Sequence, residues 1–330
     1  MQRPSPYALL VVGAMALCGC EPTGDIDAPP IGGPNPPGEQ APQTDRISQL
    51  ASASTDVLFV IDNSSSMGPH QETLNAQLPA FLTAMQGGEV DFHVGVISTD
   101  MSDSAHSGRL QEDPWSHLLF VDPGVSEPIP VLQRMAELGV SGSPNEQGRA
   151  AIYTALATLA DADNAGFARD DASLSIVVIS DEDDYSGESL IALPDFIAWL
   201  SNYKPNLEMV NFNSIVGPTG GCWGTVEAGE QYIAVTDAVG GVPSSICDSD
   251  WDDAILELGQ QSAGLETEFF LSAIPVELGV VVWVEEGGTR TDFVADLDYI
   301  YDRTRNSIAF TYYVPPAGAE VFIQYELLTN

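Results

Sequence analysis

Two short runs restrict the fold of this chain more than anything else in it. Val57-Leu58-Phe59-Val60-Ile61 is continuous and apolar, and it ends abruptly in Asp62-Asn63-Ser64-Ser65-Ser66. Ser173-Leu174-Ser175-Ile176-Val177-Val178-Ile179-Ser180 is of the same kind and leads into Asp181-Glu182-Asp183-Asp184. A strand with one wet face alternates apolar and polar residues, whereas a strand covered on both faces reads as a near-unbroken run of Val, Ile, Leu and Phe. Both runs therefore predict buried strands of a parallel sheet. Such sheets bind ligands at the carboxyl ends of their strands. Asp62 and Asp181 both stand there, and two such strands side by side bring their acidic ends onto one face. Asp62, Ser64 and Ser66 place one carboxylate and two hydroxyls at alternate positions, a set of hard oxygen donors suited to a small divalent cation.

This pair of strand ends resembles the metal-ion-dependent adhesion site of von Willebrand factor type A domains. That family carries Asp-x-Ser-x-Ser after its first strand, a Thr in a middle loop and an Asp after its fourth strand. The first element is complete here as Asp62, Ser64 and Ser66, and the fourth-strand element falls on Asp181. The middle element departs from the pattern: Asn145-Glu146-Gln147-Gly148 stands where the family has Thr-x-Thr-Gly, and it contains no Thr. Gapless placement gives the position to Asn145, while Glu146, one residue later, is the stronger oxygen ligand. The middle-loop role is open between them. The resemblance implies a site for Mg²⁺, or Mn²⁺ or Ca²⁺, with an open position that accepts a carboxylate from a protein partner. A carboxylate in the middle loop makes the site more acidic and lessens its need for an acidic partner.

The remaining chain alternates strand-like and helix-like segments, the signature of an α/β sheet. Leu74, Leu78, Phe81, Leu82 and Met85 fall at helical spacing, with Pro79 predicting a break. Residues 92–98, 117–121, 211–216 and 244–247 read as further strands, the second of them at an edge. Helices are expected around Ile152 and Leu156, around Phe196 and Leu200, over residues 232–239, and around Trp251 and Ile255. The expected fold is α/β, a doubly wound, mostly parallel six-stranded sheet resembling the type A domain over residues 55–262. Residues 263–330 change character, with β-type runs separated by Gly287-Gly288 and Pro315-Pro316-Ala317-Gly318, and predict a small antiparallel β module.

The N-terminus predicts export. Arg3 precedes an apolar stretch over residues 7–17, of signal-peptide length, which ends in Leu17-Cys18-Gly19-Cys20. This resembles the bacterial lipobox, and it implies that Cys20 is lipidated and becomes the mature N-terminus, with residues 1–20 as the leader. Residues 21–54 then read as a tether, rich in Pro and Gly as far as Pro42, with no apolar face to bury. With Cys18 removed and Cys20 acylated, Cys222 and Cys247 remain, and an exported chain favours a disulfide between them.

Charge narrows the partners. The formal net charge is -38, with 48 Asp and Glu against 10 Lys and Arg, which excludes a general binder of nucleic acid or anionic lipid. An enzyme is disfavoured: no Gly-x-Ser-x-Gly surrounds Ser64 or Ser66, and His70, His93, His106 and His117 show no His-x-x-x-His spacing. The sequence therefore points to a lipid-anchored protein of the cell envelope, at the outer membrane or cell surface, that binds a protein partner or adheres through a divalent ion. The competing expectation is a structural subunit of an envelope assembly in which the metal only stabilises loops.

Overall fold

The computed structural model describes residues 42–49, 54–87, 90–188, 190–248, 251–276, 279–311 and 313–327. The leader, Cys20 and the tether as far as residue 41 lie outside the described residues. In chain order the first half contains β1 (Gln43–Ser48), β2 (Ser54–Ile61), α1 (Gly68–Gly87), β3 (Asp91–Ser98), α2 (Pro128–Ala136), α3 (Gly148–Tyr153) and β4 (Ser173–Ser180). The second half contains α4 (Leu193–Ser201), β5 (Val210–Val216), α5 (Glu230–Val239), β6 (Pro243–Ser245) and α6 (Asp252–Ser262). It closes with β7 (Glu268–Phe270), β8 (Val281–Glu286), β9 (Thr289–Phe293), β10 (Tyr299–Asp302), β11 (Ser307–Phe310) and β12 (Glu320–Tyr325).

The main sheet has five parallel strands in the order β3-β2-β4-β5-β6. Its central strands are covered on both sides, as their composition requires. Val57, Phe59 and Ile61 pack with α1, α2 and α6 through residues such as Leu78, Phe81, Leu132 and Ile255. Leu58 and Val60 point the other way, into a second core with Ile152 of α3, Phe196 of α4 and Val235 of α5. The chain leaves β2 for β3 on one side and later returns to place β4 on the other. The carboxyl ends of β2 and β4 therefore flank the point where the winding changes direction, where open α/β sheets form a crevice.

Six strands were expected, and among the described residues five pair in this sheet. Residues 117–121 contribute only an antiparallel bridge from Val121 to Val94. The cause is local: the Asp113 carboxylate accepts from Ser116 N and Oγ, Asp113 N donates to Leu118 O, and His117 takes a left-handed φ of 60°. A segment folded onto its own aspartate cannot extend along β3. The expected break at Pro79 is also absent, because α1 runs through it. Proline deprives the carbonyl four residues earlier of its donor. Here that carbonyl, Asn75 O, accepts from the Gln133 amide of α2 at 2.9 Å.

The C-terminal module consists of two antiparallel sheets, β1-β12-β8-β9 and β10-β11-β7, sharing a core of Phe269, Val282, Tyr299, Ile308, Val321 and Ile323. Residues 43–48, which the sequence reading placed in the tether, are β1 of this module, paired with β12 from Gln43↔Tyr325 to Ser48↔Glu320. Gln49 then anchors the exit. It is buried, its amide donates to Glu266 O and Pro315 O, and its Oε1 accepts from Glu266 N.

Candidate functional site

The site forms where β2 and β4 end. Ile61 pairs with Ile179, and Asp62 N donates to Ile179 O at 3.0 Å, so the two strands deliver Asp62 and Ser180 side by side. Asp62 is fully buried. Its Oδ1 accepts from Ser64 N at 2.7 Å and its Oδ2 from Ser180 Oγ at 2.7 Å. Ser64 Oγ lies 3.0 Å from Ser66 Oγ, and Ser66 Oγ donates to Asp181 Oδ1 at 3.0 Å. The three residues of the Asp-x-Ser-x-Ser turn and Asp181 are thus brought together in one hydrogen-bonded row.

The middle loop joins them through Glu146. Asn145 is exposed, whereas Glu146 is fully buried, with one oxygen accepting from Thr99 Oγ1 and the other, Oε1, buried with no hydrogen-bond partner. The loop is clamped on both sides: Gln147 N donates to Thr99 O, Tyr185 N to Glu146 O, and Gly142 N to Asn63 O. Gly142 leaves room for the Asn63 amide, which a Cβ there would meet at 2.2 to 2.6 Å and displace. That amide in turn accepts from Ser98 Oγ at the end of β3. Below the loop the buried guanidinium of Arg149 bonds Asp184, the Ile191 carbonyl and Gln231, locking the start of α3 to the acidic loop and to α5.

The electrostatics follow from crowding carboxylates in a dry place. Burial, and then the Asp62 carboxylate beside it, push the Glu146 carboxyl up to about 9, against the Thr99 hydrogen bond. Burial, followed by Asp62, Asp181 and Glu227, raises Glu182 to about 7. Asp62 and Asp181 are raised by burial as well, opposed by hydroxyls of Ser180 and Ser66 respectively. A carboxyl held neutral by burial beside a second carboxylate is a position where a cation can take the place of the proton. Among the described residues no group of three or more His, Cys, Asp or Glu side chains makes a metal cluster. The oxygens here are mixed and come in two linked sets, the Asp62 and Glu146 carboxyls on one side and Asp181 with the Ser66 and Ser64 hydroxyls on the other.

Sequence reasoning missed Thr99, Ser180 and Glu182 as members of this site. Ser180 ends β4 and Thr99 directly follows β3, but only the adjacency of β3, β2 and β4 reveals which carboxylates they reach. The expected disulfide is present, joining Cys222 to Cys247 with Cα atoms 6.3 Å apart. Ring nitrogens of His70, His93 and His117 lie against Gly224 O, Phe167 O and Glu112 respectively, rather than against Ser64 or Ser66.

No family profile and no curated protein matches this sequence. Among solved structures the fold is similar to a von Willebrand factor type A protein from Catenulispora acidiphila, at 14% identity and a TM-score of 0.40, over 89% of this chain and 67% of that one. It is also similar to the pilus adhesin SpaC from Lactobacillus rhamnosus GG in its open conformation, at 11% identity and 0.44, over 86% of this chain and 40% of the adhesin. A third similarity is to proximal thread matrix protein 1 of the mussel byssus, at 11% identity and 0.37, over 67% and 48%. The chain thus spans less than half the length of the adhesin and of the byssus protein. At identities and TM-scores this low the similarity reaches no further than chain path.

Proposed function

We propose that this chain is an exported, lipid-anchored envelope protein whose type A-like domain binds a protein partner in a divalent-metal-dependent manner. The observation that carries the reading is the buried, unpartnered Oε1 of Glu146 beside Asp62, at the carboxyl ends of parallel strands. Asp62, Ser64, Ser66 and Glu146 would hold the ion, with Asp181 reaching it directly or through Ser66. Mg²⁺, Mn²⁺ or Ca²⁺ suits such an all-oxygen donor set. Bound there, the ion would neutralise crowded carboxylates and offer a Lewis-acidic centre to an oxygen ligand. Glu146 rather than Asn145 takes the middle-loop role, because Asn145 faces solvent. Anchoring through Cys20 rests on the lipobox-like Leu17-Cys18-Gly19-Cys20.

Titration calorimetry with Mg²⁺ tests the site. One binding event that disappears in Asp62→Ala is expected, and equal heats from the two proteins would sink the assignment. A structural role for the metal has its own support in the clamping of residues 142–147 to Asn63, Thr99 and Tyr185. Capture of a partner from envelope extract, with and without EDTA, separates the two readings: chelation abolishes capture if the ion takes part in binding and spares it if the ion only ties loops together.

A further inference from the structure

Residues 217–229 run from the end of β5 into α5 and form one wall of the candidate site. Val226 N and Glu227 N donate to the Asp181 carbonyl at 2.9 and 3.0 Å, and Gly224 O lies 3.3 Å from His70 Nε2. The Cys222–Cys247 disulfide fastens the same loop to the segment after β6. On this fastened loop Trp223 is 99% exposed and Val226 57% exposed, and Tyr185, bonded through its hydroxyl to Glu227, is 44% exposed. Trp223 therefore buries almost nothing in this chain, although its loop is pinned to the acidic segment that begins at Asp181. Tryptophan presented on a rigid support is the commonest kind of interface anchor, since its large surface is buried at little entropic cost.

The polar groups around these apolar ones carry a single sign. Glu182, Asp183 and Glu188 come from the loop after β4, and Glu227 and Glu230 from the Trp223 side; neither 181–188 nor 217–230 contains a Lys or Arg. Buried behind this segment is Glu146, whose Oε1 has no hydrogen-bond donor, whose carbonyl accepts from Tyr185 N and whose carboxyl feels the charge of Glu182. We infer that this rim docks a basic segment of a protein partner, with Trp223 entering an apolar pocket between cationic side chains, in place of the carboxylate that a type A site is expected to accept. The inference rests on the reading of this face as a binding site. Asp62, Asp181 and Glu146 outweigh the charge of one divalent ion, and Glu182 and Glu227 add to the excess. An incoming carboxylate meets repulsion that lysine or arginine does not. The same acidity disfavours the other natural destination of an exposed tryptophan, an anionic lipid surface.

The test titrates the full chain, with Mg²⁺ present, with two short peptides as probes, one alternating lysine with leucine and the other glutamate with leucine, at physiological salt. The lysine peptide should bind and the glutamate peptide should not. W223A and the pair E182Q/E227Q should each weaken the lysine peptide about tenfold, ~1.4 kcal/mol, whereas D170N/D171N, in the loop before β4 at the opposite end of the strands, should leave it unchanged. All of these positions except Glu182 are exposed, and Glu182 is half-buried, so the variants are expected to fold. Equal weakening by D170N/D171N shows only general attraction to an acidic protein and overturns the inference, as does binding of the glutamate peptide. Association with phosphatidylcholine vesicles that W223A abolishes overturns it in favour of a membrane. Lysine-peptide binding that persists in EDTA, with no heat from Mg²⁺, removes the metal reading alone; Mg²⁺ binding without lysine-peptide binding removes the docking inference alone.

Discussion

In the proposed site Glu146 is the most perturbed carboxyl, and its titration has a sign that can be measured. Its carboxyl is raised from an ordinary 4.5 to about 9, by burial first and by Asp62 second. Between those values the folded metal-free protein holds a proton that the unfolded chain has released. Its stabilising share is therefore complete below pH 4.5 and is lost progressively as pH rises through 9. Thermal unfolding in EDTA should show a Tm that falls over this range, and Glu146→Gln, neutral at every pH, should flatten the slope. An unchanged slope in the variant would place the pH dependence elsewhere. Because a cation replaces that proton, stabilisation by Mg²⁺ should grow with pH. Asp62, Ser64 and Ser66 stood out in the sequence as closely spaced oxygen donors directly after a buried strand, and the structure brings them together. Asn145 and Glu146 could not be ranked that way. Which of them turns inward is set by the Gln147 N to Thr99 O bond, a contact between segments far apart in sequence.

Among the elements, α1 and the Trp223 loop are each held by an interaction that crosses to another segment. The helix continues through Pro79 because Gln133 supplies the missing donor to Asn75 O, while Thr83 Oγ1 bonds Pro79 O. Gln133→Ala removes that donor and should cost about 1 kcal/mol, the usual net value of one hydrogen bond; chemical denaturation measures it, and no loss would mean that water serves Asn75 equally well. The apolar spacing of α1 was readable, but the rescue of its proline was not, since Gln133 sits on a different helix. Cys222–Cys247 closes a loop with a sequence separation of 25. Its replacement by serines should cost about 3 kcal/mol on the chain-entropy view. Hydrogen exchange in residues 217–229 should rise at the same time, because the loop then relies on its bonds to Asp181, His70 and Tyr185; unaltered exchange would show that those bonds suffice to hold Trp223 in place.

At the scale of the whole molecule the chain is nested: the parallel-sheet domain is inserted between β1 and the remaining strands of the β module. The sheet domain was legible because burial on both faces demands continuous apolar runs. The nesting was not. Gln43-Thr44-Asp45-Arg46-Ile47-Ser48 offers only Ile47 as an apolar group to the module's core, and its other inward positions are held by polar contacts: Asp45 accepts from Ser272 N at 2.8 Å and from the Tyr325 hydroxyl at 2.7 Å. A strand recognised by hydrogen bonds to residues far along the chain carries no hydrophobic pattern of its own. Its removal has a defined consequence. A chain beginning at Ser54 loses the β1–β12 pairing and the bonds of Gln49 to Glu266 and Pro315. It exposes β12, whose alternate residues Val321, Ile323 and Tyr325 are fully buried, as an open edge. Limited proteolysis should then cleave within residues 279–327 at protease levels that the longer chain resists, while the Mg²⁺ titration of the parallel-sheet domain stays unchanged. Resistance equal to that of the longer chain would mean that the module closes without β1. Loss of Mg²⁺ binding along with it would mean that module and site fold as one cooperative unit rather than as two.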